Sequence, residues 1–269
     1  MSGSEDRGPA GHAPPPLPPE ATAEHGRPQV AADSARNRLA AEMRRVSDLV
    51  VGRLMDEEAV EAAAKTLARV ADDLARSTVP GKAPRGMPNH LGHPQDFFPT
   101  SPIVGYANPV APPVDLWAVR SDEGAMELRG RAFFRYPYEG PPTCVHGGVI
   151  AALFDELLGA MTILNGTPGM TGTLTIRYRR PTPLLAPLDL EARITSIEGR
   201  KIFASGGIRH EGELTAEAEG IFIAVWPQKM LDILATHASD DGGELVDDEL
   251  RAFIEKGGEI RGVDGPPPT

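Results

Sequence analysis

One stretch of the chain holds residue types whose spacing could do chemistry on a carbonyl. Residues 146–148 read His-Gly-Gly, and Asp155 follows eight positions after Gly147. The run from Val149 to Met161 is otherwise apolar, apart from Glu156. A carboxylate in such a run is costly unless it has a partner or a task. Asp155 and Glu156 are adjacent, so on a helix they point about 100° apart and at most one of them lies deep in a core. The helical neighbours of Asp155 are Ala151, Ala152, Leu158 and Gly159. Small residues there let another chain or a substrate approach. Read alone, Asp155 fits an ion-paired core aspartate as well as a working carboxylate.

Glycines at a helix start leave amide N–H groups uncovered, and the helix dipole adds positive potential. That combination suits a carbonyl oxygen that gains negative charge during attack. His-Gly-Gly by itself also describes a plain glycine-rich helix entry. Followed two turns later by a carboxylate on a buried helix, it is far more specific. The spacing also constrains assembly, because eight helical positions amount to about 12 Å of rise. Gly147 and Asp155 of one helix cannot readily touch the same carbonyl. Two antiparallel helices related by a two-fold axis could bring Gly147 of one copy to Asp155 of another. If both residues act on one substrate, the site is shared in a homodimer.

Other constellations are weaker. Cys144 lies two residues before His146, but an extended segment sets their backbones roughly 7 Å apart, and no third group orients a Cys–His pair. His90 and His93 have metal-like spacing without further ligands around them, so no metal and no cofactor is expected. The acidic residues of 240–249 read as a solvated tail.

The elements that position these residues follow from periodicity and punctuation. Residues 1–33 are rich in Pro, Gly, Ala and charge and read as a disordered tail. Residues 34–78 read as a helical extension. Asp33 or Ser34 caps a first helix, with Leu39, Met43, Val46, Val50 and Leu54 at helical spacing. Asp56 caps a second, with an apolar stripe of Val60, Ala64, Leu67, Val70 and Leu74. The stripe is expected to pack against the main domain or a partner subunit. Residues 79–113 form a Pro-rich linker. The main domain is expected over 114–227. Strands are read at Leu116–Arg120 and Met126–Tyr136, joined through Asp122-Glu123-Gly124. The helix follows from Gly147 to about Leu164. Four further strands follow at Thr171–Tyr178, Leu188–Glu198, Ile202–His210 and Leu214–Val225. The short connections Glu198-Gly199-Arg200 and Glu211-Gly212 imply an antiparallel sheet. One helix buried by one long antiparallel sheet is an α+β arrangement. Residues 228–269 form a C-terminal extension, partly disordered, with a short amphipathic helix over Leu245–Phe253.

Composition narrows the class. A chain of 269 residues with a net charge of −11 has no surplus of Lys and Arg for broad nucleic-acid binding. Cys144 is the single cysteine, so nothing points to an oxidising compartment. The N-terminus lacks a secretory pattern, and the longest apolar stretch, interrupted by Asp155 and Glu156, falls short of a membrane span. A cytoplasmic protein is the expectation.

The stretch Glu139-Gly140-Pro141-Pro142-Thr143-Cys144-Val145-His146-Gly147-Gly148-Val149-Ile150-Ala151-Ala152-Leu153-Phe154-Asp155 resembles the signature of PaaI-type thioesterases of the hotdog superfamily. Asn108-Pro109 and Arg179-Arg180-Pro181-Thr182-Pro183-Leu184 look similar too. The likeness covers roughly residues 100–227. It implies a hotdog fold and hydrolysis of acyl-CoA thioesters in a homodimer or a dimer of dimers. It also implies that the Gly147 N–H polarises the thioester carbonyl and that Asp155 acts as nucleophile or general base. Met170-Thr171-Gly172 is similar to the mammalian long-chain acyl-CoA thioesterase branch, which implies a catalytic role for Thr171. The same likeness suggests substrate contacts for His146 and Gly148, and CoA phosphate contacts for Arg177, Arg179 and Arg180. Two other readings stay open. One is a non-catalytic acyl-CoA-binding or regulatory module. The other is a hotdog hydratase or dehydratase, which usually carries an Asp/His pair in a different arrangement.

Overall fold

The structure, a computed structural model, describes residues 34–77, 99–121, 125–165 and 167–225. The expected N-terminal tail, the Asp122-Glu123-Gly124 turn, His90, His93, the acidic 240–249 segment and the 245–253 helix lie outside the described residues.

Two helices open the described chain. Helix α1 spans Ala35–Gly52, and the Ser34 hydroxyl accepts the Asn37 N–H at 3.1 Å, satisfying one of the free amides of its first turn. Helix α2 spans Glu57–Ser77, with the Asp56 carboxylate accepting the Ala59 N–H at 3.0 Å. Helix α1 docks on the rest of the chain. Its Asp48 is buried and pairs with the equally buried Arg135 at 2.7 Å. At Gly52 a Cβ atom would lie 2.1 Å from the Tyr136 ring, so only glycine lets the helix end pack there. Helix α2 buries none of its residues, and Val60, Leu67, Val70 and Leu74 stay exposed. Its stripe therefore does not pack on the main domain. The seven-residue recurrence Val60, Leu67, Leu74 is a helix-to-helix spacing, and no described helix lies against it.

Six strands form one antiparallel sheet in the order β1-β2-β4-β5-β6-β3. They are β1 Val114–Arg120, β2 Met126–Phe133, β3 Gly169–Tyr178, β4 Pro187–Glu198, β5 Lys201–His210 and β6 Glu213–Ala224. Gly199 connects β4 to β5 at φ +56°, and Glu211-Gly212 connects β5 to β6 with φ +52° and +81°. Two consecutive positive φ values match the right-handed strand twist, which favours such tight hairpins. Strand β2 ends earlier than its apolar pattern suggests. Tyr136–Tyr138 forms a 3-10 turn instead, because Pro137 has no N–H to offer a ladder and fixes its own φ.

Helix α3, Gly147–Leu164, lies across one face of the sheet. Leu153, Phe154, Leu157, Leu158 and Met161 are fully buried, against Leu128, Leu188, Ile208, Ala216 and Phe222 of the strands. The sheet makes room with small residues. Ala192, Gly206 and Ala218 form one cross-strand row, and a Cβ on Gly206 would come within 3.1 Å of the Leu158 side chain. By length and mean hydropathy, 1.6 over 18 residues, α3 could cross a membrane, contrary to the expectation that its carboxylates leave it short. Its apolar face is instead the core of this domain. Among the described residues the opposite side of α3 is not covered: Asp155 is exposed and Ala151, Ala152 and Gly159 are half-buried.

Candidate active site

The turn before α3 holds its residues in a fixed shape. Thr143 adopts a left-handed φ of +66°, and its N–H donates to the Glu139 carboxylate at 2.7 Å. The Gly140 N–H donates to the Cys144 carbonyl at 3.0 Å, and the His146 N–H to the Tyr138 carbonyl at 2.9 Å. His146 is the N-cap, with its Nδ1 accepting the Gly148 N–H at 2.9 Å. That bond requires an unprotonated Nδ1, so the ring carries its proton on Nε2. It also consumes the Gly148 amide. The Gly147 N–H, at the first helical position, has no hydrogen-bond partner among the described residues. Of the two glycines, Gly147 is the open donor at the positive end of the helix. The His146 Nδ1 is engaged by the Gly148 N–H rather than by Cys144, whose backbone bridges to Pro183.

Strand β3 grips α3 at two points. The Thr171 hydroxyl donates to Asp155 Oδ1 at 2.6 Å. The Tyr178 hydroxyl donates to the Gly147 carbonyl at 2.8 Å. By simple alternation Thr171 shares a side with Thr173, Thr175 and Arg177, opposite Leu174, Ile176 and Tyr178. A bulge between Thr171 and Thr173 shifts the register against β6. An extra residue in a strand reverses which face the next side chain meets, and here it turns Thr171 onto the helix. Sequence reasoning missed Tyr178, whose place two residues from Arg180 offered no signal of a contact with residue 147.

The two helix carboxylates separate as their angular spacing demands. Asp155 is exposed on the uncovered side, while Glu156 is half-buried and accepts the Ser101 hydroxyl at 2.5 Å. Burial raises the Glu156 carboxyl above its ordinary range, the Ser101 bond opposes this, and the Asp155 charge adds to it. Ser101 and Glu156 were not legible as partners, being 55 residues apart.

The three arginines expected near substrate are ion-paired with carboxylates. Arg177 reaches Glu219 at 3.3 Å and Glu217 at 3.6 Å, Arg179 reaches Glu217 at 2.5 Å, and Arg180 reaches Glu213 at 2.5 Å. The Arg179 hydrogen bond, outweighing the opposing desolvation, holds the Glu217 carboxyl below its usual range. Arg177 points away from α3, opposite to Tyr178. The structure thus brings Asp155 and Thr171 together, leaves Gly147 eight helical positions away on α3, about 12 Å of rise, and matches all three arginines with carboxylates of β6. Among the described residues no cluster of His, Cys, Asp and Glu could hold a metal ion.

A long antiparallel sheet wrapped on one central helix is the hotdog fold. Comparison with known proteins then specifies the family. The crystal structure of protein RHA08564, a thioesterase superfamily protein, is 35% identical with a TM-score of 0.62. The match covers 71% of this chain and 91% of that one, more than residues 114–225 supply. The profile described as "Thioesterase superfamily" matches residues 143–217. The chain belongs to the thioesterase superfamily. Similar curated proteins are the acyl-coenzyme A thioesterase THEM4 of Bos taurus, 38% identical over 96 residues, and that of Mus musculus, 40% over 95 residues. Each match covers 35% of this chain. It spans only 39% of the cattle protein and 41% of the mouse protein.

Proposed function

We propose that this protein hydrolyses acyl-CoA thioesters to free CoA and a carboxylic acid, at a site shared between two copies of the chain. The observation that carries the reading is the Thr171–Asp155 hydrogen bond of 2.6 Å on the uncovered side of a helix whose first N–H is open. In the reaction, Asp155 takes a proton from water as the water oxygen forms its bond to the acyl carbon. The Gly147 N–H of the other copy stabilises the oxyanion. The C–S bond then breaks, and the departing CoA thiolate takes up a proton. Attack by the Asp155 carboxylate itself, followed by hydrolysis of the anhydride, gives the same products. Thr171 holds the carboxylate in place in either route, and His146 keeps the glycine turn in shape. Gly148, with its amide engaged by His146, lets the acyl group approach closely.

The dimer has its own support. Strand β3 is an edge strand of ten residues whose side chains are largely exposed, Met170 and Tyr178 among them. A long exposed edge is a template for pairing, and a second β3 beside it would lay two α3 helices alongside each other. The curated relatives are named acyl-coenzyme A thioesterases, which favours CoA esters as substrate. CoA phosphates would have to compete with Glu217 and Glu213 for Arg179 and Arg180. An acyl-CoA panel should release free CoA with the wild type. Asp155→Asn should abolish release while the circular dichroism spectrum is retained. Undiminished turnover by Asp155→Asn would sink the proposal.

A further inference from the structure

Glu156 has no place in the reaction just described, yet it is a half-buried carboxylate next to Asp155 on the same helix. Its partner Ser101 is only 8% exposed and sits in a tightly built turn over residues 99–111. The Ser101 oxygen accepts the Ile103 and Val104 N–H groups at 3.1 and 3.2 Å while its proton goes to Glu156. The Gly105 N–H donates to the Ser101 carbonyl at 3.1 Å, and the Ala107 N–H to the Pro99 carbonyl at 2.8 Å. A Cβ on Gly105 would come within 2.5 Å of both Pro99 O and Ser101 N, so the turn closes only around glycine. All the donors near the Ser101 oxygen are therefore fixed, and its hydroxyl is aimed.

The turn is itself held from outside the sheet. Arg44 of helix α1 donates to the Tyr106 carbonyl at 3.2 Å and the Asn108 carbonyl at 2.8 Å. The Tyr138 hydroxyl donates to the Val110 carbonyl at 2.9 Å. Burial pushes that phenol up to about 12, despite the opposing charge of Arg44, so it remains a donor. The Asp48–Arg135 pair locks α1 beside this group at 2.7 Å. A continuous chain of polar contacts thus runs from α1, through the 99–111 turn and Ser101, to Glu156.

We propose that Glu156, gripped by Ser101, is a positioning residue that sets how α3 presents Asp155 to Thr171, and that α1 sustains the grip by anchoring the Ser101 turn. The two carboxylates are adjacent along the helix, so rotation of α3 that loosens Glu156 also turns Asp155. Thr171 reaches Asp155 from an edge strand on the uncovered side and cannot follow such a rotation. A carboxylate used only for packing would be replaceable by an apolar residue of similar size. A positioning carboxylate is replaceable only by a group that accepts the same bond.

The catalytic arm of this inference rests on the thioesterase reading; its structural arm does not. The test follows the side-chain carboxyl 13C resonance of Asp155 at one pH in the full chain, with Thr171→Val as the reference for a lost Thr171 bond. Ser101→Ala, Glu156→Leu and Arg44→Met should move the resonance toward that reference, and Glu156→Gln should leave it nearer the wild type. With an acyl-CoA substrate, Ser101→Ala and Glu156→Leu should lower kcat about tenfold with KM nearly unchanged, as a misplaced catalytic group does. Glu156→Gln should recover much of that loss. An unmoved resonance in Ser101→Ala and Glu156→Leu overturns the proposal, as does Glu156→Gln behaving like Glu156→Leu. A resonance unmoved in Arg44→Met removes α1 from it. Absence of turnover in the wild type would defeat the thioesterase reading, while the resonance still decides the positioning claim.

Discussion

The Gly147 amide is the smallest unit on which the proposed chemistry depends. It occupies the first helical position, where a proline fits both sterically and conformationally. His146 before it has φ −60° and ψ 131°, a conformation that proline tolerates in its predecessor. A Cβ at residue 147 would meet the Tyr178 ring no closer than 3.5 Å, an ordinary contact. Gly147→Pro therefore deletes one N–H with little cost to the helix. Its kcat should fall by about 10²–10³-fold, the loss expected for one oxyanion donor, with the melting temperature nearly unchanged. A kcat within a few-fold of wild type would show that this N–H does not face the reacting carbonyl.

Among the elements, α1 and α3 make different demands on stability. Removing one partner of the buried Asp48–Arg135 pair leaves an uncompensated charge. Asp48→Ala should lower the unfolding free energy by about 3–5 kcal/mol, read from urea denaturation. The double variant Asp48→Ala/Arg135→Leu should regain much of it, because neither charge then remains buried alone. Glu156 makes the stability of α3 pH-dependent. Its carboxyl is raised in the folded state, chiefly by burial, so on acidification the native state binds the proton before the unfolded state does. Stability attributable to Glu156 therefore increases as pH falls through the raised value and levels off below the ordinary glutamate range. The gap in melting temperature between Glu156→Gln and wild type should move in the wild type's favour as pH falls from neutral. A gap that does not change with pH would show Glu156 to be indifferent to its burial.

At the scale of the whole molecule, separation along α3 turns a catalytic proposal into an assembly prediction. Gly147→Pro and Asp155→Asn subunits should each be inactive as homodimers. Unfolded and refolded together, they form mixed dimers in which one site receives an intact Gly147 from one chain and an intact Asp155 from the other. Turnover should reappear, reaching about a quarter of the wild-type rate if subunits pair at random, since half the dimers hold one working site of two. No recovery in a mixture shown by mass spectrometry to contain mixed dimers would confine the site to a single chain. Nothing described in the chain covers the exposed stripe on α2.

Much of the architecture was legible because its signals are local. The caps at Ser34 and Asp56, the apolar run of α3 and the glycine turns at 199 and 212 are properties of a few neighbouring residues, and each appears where its pattern places it. The separation of Gly147 and Asp155 was also legible, since it needs only a helix and a count of eight. The aim of Thr171 was not, because it depends on a bulge against β6. Neither was the choice between Asp155 and Glu156 for the deeper place. Their spacing says that they diverge, but only the position of Ser101, far away in the chain, decides which one turns inward. Nor did the sequence show that β6 sets Glu213, Glu217 and Glu219 beside the arginines at the end of β3. Helical and turn preferences are written in the chain itself, whereas partnership across a sheet or between a turn and a helix exists only once distant segments pack.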